Sequence, residues 1–176
     1  MKQTRGQLAL MLNRQLAALQ DLHSQVKQAH WTIRGRFFYA RHELFDGIAS
    51  RLLAMVDDVA ERIGALGYYS EGTMRMAASQ SYLAPWDRDA IDGQAQIRAL
   101  VERFAQVERE LRPIVPYADS KLEDPITADL VTEMLRTLEK DLWFLESHLE
   151  HDKGAVRPMV LPHPSQEAHA KSVAEA

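Results

Sequence analysis

Apolar residues recur at helical spacing through most of the chain. In the first segment Leu8, Leu12, Leu16, Leu19, Leu22, Val26 and Ile33 step by three, four or seven, and the stripe ends at Gly35, a helix-terminating residue. A second stripe, from about Tyr39 to Leu66, carries Leu44, Phe45, Ile48, Leu52, Met55, Val56, Val59 and Ile63 and stops at Gly67. A third runs from about Asp89 to Leu111 through Ile91, Ile97, Leu100, Val101, Phe104 and Val107, with Pro113 closing it. A fourth opens at Asp124, a good N-cap, with Pro125 in the first turn, where its missing N–H costs nothing. It continues through Leu130, Met134, Leu138, Leu142, Leu145 and Leu149. No stretch alternates with the period of two that marks a strand; Asp46-Gly47, a dipeptide with a hairpin signature, sits inside a helical stripe.

Four helices of roughly 23 to 28 residues predict an all-α four-helix bundle. The second and third are separated by YYSEGTMRMAASQSYLAPW, long enough to span the bundle as a crossover, with a short helix expected over Ser81–Trp86. After Glu150 the composition shifts to HDKGAVRPMVLPHPSQEAHAKSVAEA, rich in proline and without periodicity. The expected organisation is an arm over 1–7, a bundle domain over 8–150 and a tail over 151–176.

Composition narrows the function classes. At 176 residues, with 46% hydrophobic and 26% charged, the chain can fill one core. Having no cysteine, it has no disulfide, thiolate nucleophile or thiolate-bound zinc or iron–sulfur cluster. No apolar run reaches the roughly 18 residues that cross a bilayer. No signal peptide is read at the N-terminus, so cytoplasm is the expected compartment. A formal charge of −4 disfavours a globally basic nucleic-acid binder.

The second helix carries the candidate chemistry. His42 and Asp46 are four apart, as are Asp57 and Glu61, and Asp46 and Asp57 are eleven apart. At 100° per residue all four share one side of the helix. The midpoints of the two pairs lie about 22 Å apart along the axis, so no single ion touches both. A two-fold axis resolves this: an identical helix laid antiparallel brings His42 and Asp46 of one chain against Asp57 and Glu61 of the other. Gly47, unfavourable inside a helix by about 1 kcal/mol, suits close approach of another backbone there. His30 is a further candidate ligand. Imidazole plus carboxylate with open positions suits iron, and less exclusively manganese or zinc. The competing reading is a solvated charged face, with His30 and Trp31 as an aromatic cluster at a helix end. Glu-x-x-His, the usual signature of an intrachain di-iron centre, is absent.

KQAHWTIRGRFFYARHELFDGIASRLLAMVDDVAERIGALG closely resembles the signature of the Dps mini-ferritins, the DNA-binding proteins from starved cells: His30, Trp31, Gly35, His42, Asp46, Asp57, Glu61 and Arg62 fit each step of the family's spacing. ITADLVTEMLRTLEKDLWFLESHLE is similar to the family's last helix. The resemblance, over roughly residues 8–150, implies a ferritin-like bundle in a hollow dodecamer built from two-fold dimers. It implies intersubunit ferroxidase centres that oxidise Fe2+, preferably with H2O2 but also with O2, and store ferric oxyhydroxide. His30, His42 and Asp46 would come from one subunit, Asp57 and Glu61 from its mate. Trp31 would donate or trap a stray electron, or simply pack at the dimer contact. Glu123, Asp124 and Asp129 stand where relatives line an iron-entry pore, with Asp129 best placed, Asp124 also an N-cap, and Pro125 and Ile126 where acidic residues occur in relatives. Some relatives coat DNA through basic tails; here Lys2 and Arg5 are few, and residues 151–176 balance their charges, so DNA binding at neutral pH is expected to be weak or absent, with nucleoid association left open. His151, His163 and His169 add charge only in acid, or bind metal. The alternative is a structural, DNA-coating assembly with little ferroxidase activity.

Overall fold

The computed structural model describes residues 2–149, with side chains from Arg5 onward. The expected tail at 151–176, with its three histidines, lies outside the described residues. Those described are all helical or loop: α1 (Lys2–Thr32), α2 (Phe38–Ala65), a short α3 (Met74–Gln80), α4 (Gly93–Leu111), one α-turn labelled α5 (Ile114–Pro116) running into a π-helical turn (Tyr117–Lys121), and α6 (Pro125–Ser147). Residues 2–7, read as an arm, form the first turns of α1.

Each long helix buries the stripe its sequence displays. Leu8, Leu12, Leu16, Leu19, Leu22, Val26 and Ile33 of the first segment are fully buried, against Phe45, Ile48, Leu52, Val59 and Ile63 of α2. Ile97, Leu100, Phe104 and Val107 of α4 and Val131, Leu138 and Leu145 of α6 complete the core. Ile91 departs from the expected stripe: α4 starts only at Gly93, where Asp92 caps the amides of Gln94 and Ala95, so Ile91 precedes the helix and is 74% exposed.

Side-chain bonds give the direction of each helix. Arg14 pairs with Glu110 and Gln96 bonds Thr32, so α1 and α4 are antiparallel; Arg51 pairs with Asp141 and Arg62 with Asp124, so α2 and α6 are antiparallel. With the short α1–α2 corner, this order requires a connection along the whole bundle between α2 and α4. That crossover climbs α1 in steps: Asn13 bonds Tyr69, Gln20 bonds Gly72, Asp21 bonds Ser81, and Gln25 bonds Ala84.

The crossover corrects one expectation. Its short helix is Met74–Gln80, started by the Thr73 hydroxyl, rather than Ser81–Trp86. Over 82–85 the carbonyls are claimed from elsewhere: Gln106 bonds that of Tyr82, Gln25 that of Ala84 and Arg103 that of Pro85. Pro85 also bars helical geometry at Ala84.

The start of α6 is tied to α2. Asp124 accepts from the Thr127 amide at 3.1 Å and from the Arg62 guanidinium at 2.8 Å on both carboxylate oxygens. Burial alone would raise the Asp124 pKa, but the bonds from Thr127 and Arg62 outweigh it and hold the carboxyl below its usual range. A depressed carboxyl contributes stability above its unfolded pKa of about 4 and loses it as pH falls through the lower folded value. Asp124→Ala should therefore cost about 1–2 kcal/mol in urea unfolding at neutral pH. The difference from wild type should shrink in acid below the folded pKa; a cost that persists there would contradict this account.

Candidate metal centre

The corner between α1 and α2 is built from few residues. Gly35, at φ 96°, takes the left-handed conformation that turns the chain, and α2 begins at Phe38. The reversal lays His30, in the last turn of α1, against His42, in the second turn of α2, with ring centroids 3.7 Å apart and planes at 23°. Each ring bonds the other's backbone: His30 Nδ1 to the His42 carbonyl at 3.0 Å, and His42 Nδ1 to the His30 carbonyl at 3.0 Å. A carbonyl only accepts, so each Nδ1 carries the hydrogen, and in the neutral ring Nε2 keeps its lone pair. Metal-binding imidazoles are held in this way, with the second nitrogen anchored to a backbone acceptor.

Asp46, one turn beyond His42, lies beside this pair: its Oδ1 is 3.9 Å from His30 Nε2. The same oxygen accepts from Lys27 Nζ at 2.7 Å. That hydrogen bond and the ammonium charge are the main causes holding the Asp46 carboxyl below its usual range, against a smaller opposing effect of burial. Lys27 was missed in the sequence. Its signal was its place three residues before His30 on the same face of α1. Trp31, 62% exposed, has its ring 5.9 Å from the same ammonium.

Asp57 and Glu61 do not join this cluster. Both are exposed three turns along α2, and neither has an ion-pair partner among the described residues. Among these residues no three His, Asp or Glu side chains of one chain gather closely enough to hold a metal ion. Between Asp46 and Asp57 the same face carries Ser50 and Leu53, the latter 56% exposed. Leu53 borders an apolar groove of about 530 Å³ with Val56, Met74, Leu83 and Pro85, and His23 at its rim. Burial and the Lys27 charge lower the pKa of His23.

The residues read as a pore separate into two kinds. Asp124 is occupied by Arg62 and the α6 cap. Glu123, at φ 53°, and Asp129, in the first turns of α6, are exposed. Among the described residues Gly47 meets no backbone beyond its own helix; a Cβ there would lie 3.4 Å from Arg51 Nη1.

A family model described as a ferritin-like domain matches residues 9–155. The DNA protection during starvation protein of Agrobacterium fabrum is 36% identical over 140 residues, covering 80% of this chain and 86% of that one. That of Mycolicibacterium smegmatis is 32% identical over 154 residues, covering 84% and 79%. Among solved structures, the Dps protein of Vibrio cholerae O1 superposes with a TM-score of 0.79 at 28% identity, covering 84% of this chain and 92% of that one. It is described as a member of a broad superfamily of ferritin-like diiron-carboxylate proteins. DpsC of Streptomyces coelicolor reaches a TM-score of 0.81 at 30% identity, covering 89% and 91%. Sequence and fold thus agree along most of the length, and the chain belongs to the Dps family of ferritin-like proteins.

Proposed function

We propose that this Dps protein oxidises ferrous iron at centres shared between two subunits and stores the ferric product inside a closed dodecamer in the cytoplasm. His30, His42 and Asp46 of one protomer and Asp57 and Glu61 of its two-fold mate are the proposed ligands. The observation that carries the reading is the reciprocal His30–His42 bonding, which leaves an Nε2 lone pair free on each ring, that of His30 3.9 Å from Asp46 Oδ1. An antiparallel copy of α2 that sets His42 opposite Glu61 and Asp46 opposite Asp57 also sets Ser50 opposite Leu53 at the axis. An exposed leucine beside an apolar groove gains from such cover.

Iron is the substrate here. Carboxylates are hard oxygen donors that favour the ferric state and so favour electron loss. Two ferrous ions supply the two electrons that break the O–O bond of one peroxide, and two protons complete two waters. Pairing the electrons avoids release of a hydroxyl radical, and Trp31 is placed to absorb a stray oxidising equivalent. Exposed Asp129 and Glu123 are the proposed residues of the entry path. The relatives' names speak of DNA protection; here we assign that protection to removal of iron and peroxide, since a chain at −4 repels a polyanion. A plasmid retarded in a gel at about 0.15 M salt and neutral pH would contradict that assignment.

Complementation tests the shared site. A His42→Ala, Asp46→Ala chain and an Asp57→Ala, Glu61→Ala chain should each oxidise Fe2+ at the uncatalysed rate. Refolded together, they should recover activity at about a quarter of the sites, because each mixed dimer rebuilds one intact centre of two. No recovery, or full activity of the second variant alone, would remove the assignment.

Lys27 competes with a cation for Asp46. Lys27→Met should raise the Asp46 pKa, read by carboxyl NMR. It should tighten binding of Zn2+, which suits the same donors, by roughly two- to fivefold, the scale of an exposed ion pair. Unchanged titration and affinity would show that Lys27 plays no part.

A further inference from the structure

A second set of groups lies between α2 and α6, away from the proposed iron ligands. Arg51 is five residues beyond Asp46, roughly 140° around α2. It lines a trough of about 460 Å³ with Glu133, Arg136, Thr137, Lys140 and Phe144, one face of α6. The Arg51 fork is fixed from behind: Nε lies 3.1 Å from both oxygens of Asp141, and Asp141 is only 1% exposed. Nη1 makes no hydrogen bond among the described residues, and Gly47 leaves its approach open. Lys140 is steadied 5.7 Å over the Phe144 ring. Neither Arg136 nor Lys140 has a carboxylate partner among the described residues.

Three cations from two helices thus face one concavity, and the nearest buried carboxylate is already spent on Arg51. Left bare, these like charges on one wall repel one another. Arginine forks match the geometry of a tetrahedral oxyanion, and Lys140 adds a point charge. Glu133 on the same wall would repel most anions, but not one that brings its own hydrogen. We propose that the trough binds inorganic hydrogen phosphate. Arg51, Arg136 and Lys140 donate to its bare oxygens, and the Glu133 carboxylate accepts from its P–OH. Sulfate, with no hydrogen at neutral pH, meets Glu133 as a repulsion. A nucleic-acid phosphate is disfavoured because an adjoining hollow that shares Arg51 and Glu133 is lined by Asp58, whose charge would repel a polymer's next phosphates. The binding stands apart from the iron reading.

Titration calorimetry of the metal-free full chain with sodium phosphate, at neutral pH and low salt, tests this without iron. One saturable site per chain is expected, weakened at least about tenfold by Arg136→Gln with Lys140→Gln, since two charged contacts are lost. Both positions face solvent, and an unchanged melting temperature verifies the fold. Sulfate should bind more weakly than phosphate, and Glu133→Gln should erase that preference. Absence of saturable heat, equal affinity in the double variant, or equal binding of sulfate by the wild type would overturn the proposal. Displacement of phosphate by a short DNA duplex would overturn the assignment to free phosphate.

Discussion

A helix advances about 1.5 Å per residue and does not shorten, so groups fifteen residues apart on α2 stay about 22 Å apart. That rigidity governs everything proposed for the face of α2. Phe45, Ile48, Leu52, Val59 and Ile63 are fully buried on the other side, and their packing fixes the rotation of the helix about its axis. The burial that stabilises the bundle thereby aims His42, Asp46, Asp57 and Glu61 outward together. What one rod holds apart, a second rod related by two-fold symmetry would bring together twice, as proposed. The incompleteness of the cluster in one chain and the exposed Leu53 between its halves follow from the same geometry.

At the corner, backbone does the work that acidic side chains do in many metal sites. The carbonyls of His30 and His42 orient each other's rings, so no further residue is needed to hold the tautomer. The arrangement depends on Gly35 turning the chain in five residues. It also leaves the Asp46 carboxylate paired with the Lys27 ammonium. Under the proposed assignment of Asp46 as a ligand, a metal ion would have to compete with that ammonium.

The long helices were legible because each buries one stripe, and a buried stripe writes its period into the sequence. The crossover was legible as a length but not as a conformation. Its carbonyls over 82–85 are satisfied by Gln25, Arg103 and Gln106, residues 18 to 59 positions away, and no local pattern reports such bonds. His30, His42 and Asp46 were brought together by spacing and by family likeness, whereas Lys27 passed as one more surface lysine. Charged residues were the least legible class: Asp141 looks in sequence like a solvated helix position and Asp124 like a cap or a pore residue, and only the fold shows that each takes an arginine of α2.

Those two pairs have a role that hydrophobic packing cannot fill. Stripes of leucine on α2 and α6 would tolerate a slide of one turn, about 5.4 Å, because leucine repeats at that spacing. Arg51 with Asp141 and Arg62 with Asp124 do not tolerate it. A slide would strand Asp141 in the core without a partner and take Arg62 away from Asp124, at a cost of several kcal/mol. Buried ion pairs add little net stability, but they discriminate strongly between registers. Register matters here because α2 carries the proposed iron ligands and α6 the proposed pore and phosphate residues. The two forks set all three against one another, and Arg51 belongs both to that lock and to the trough it lines.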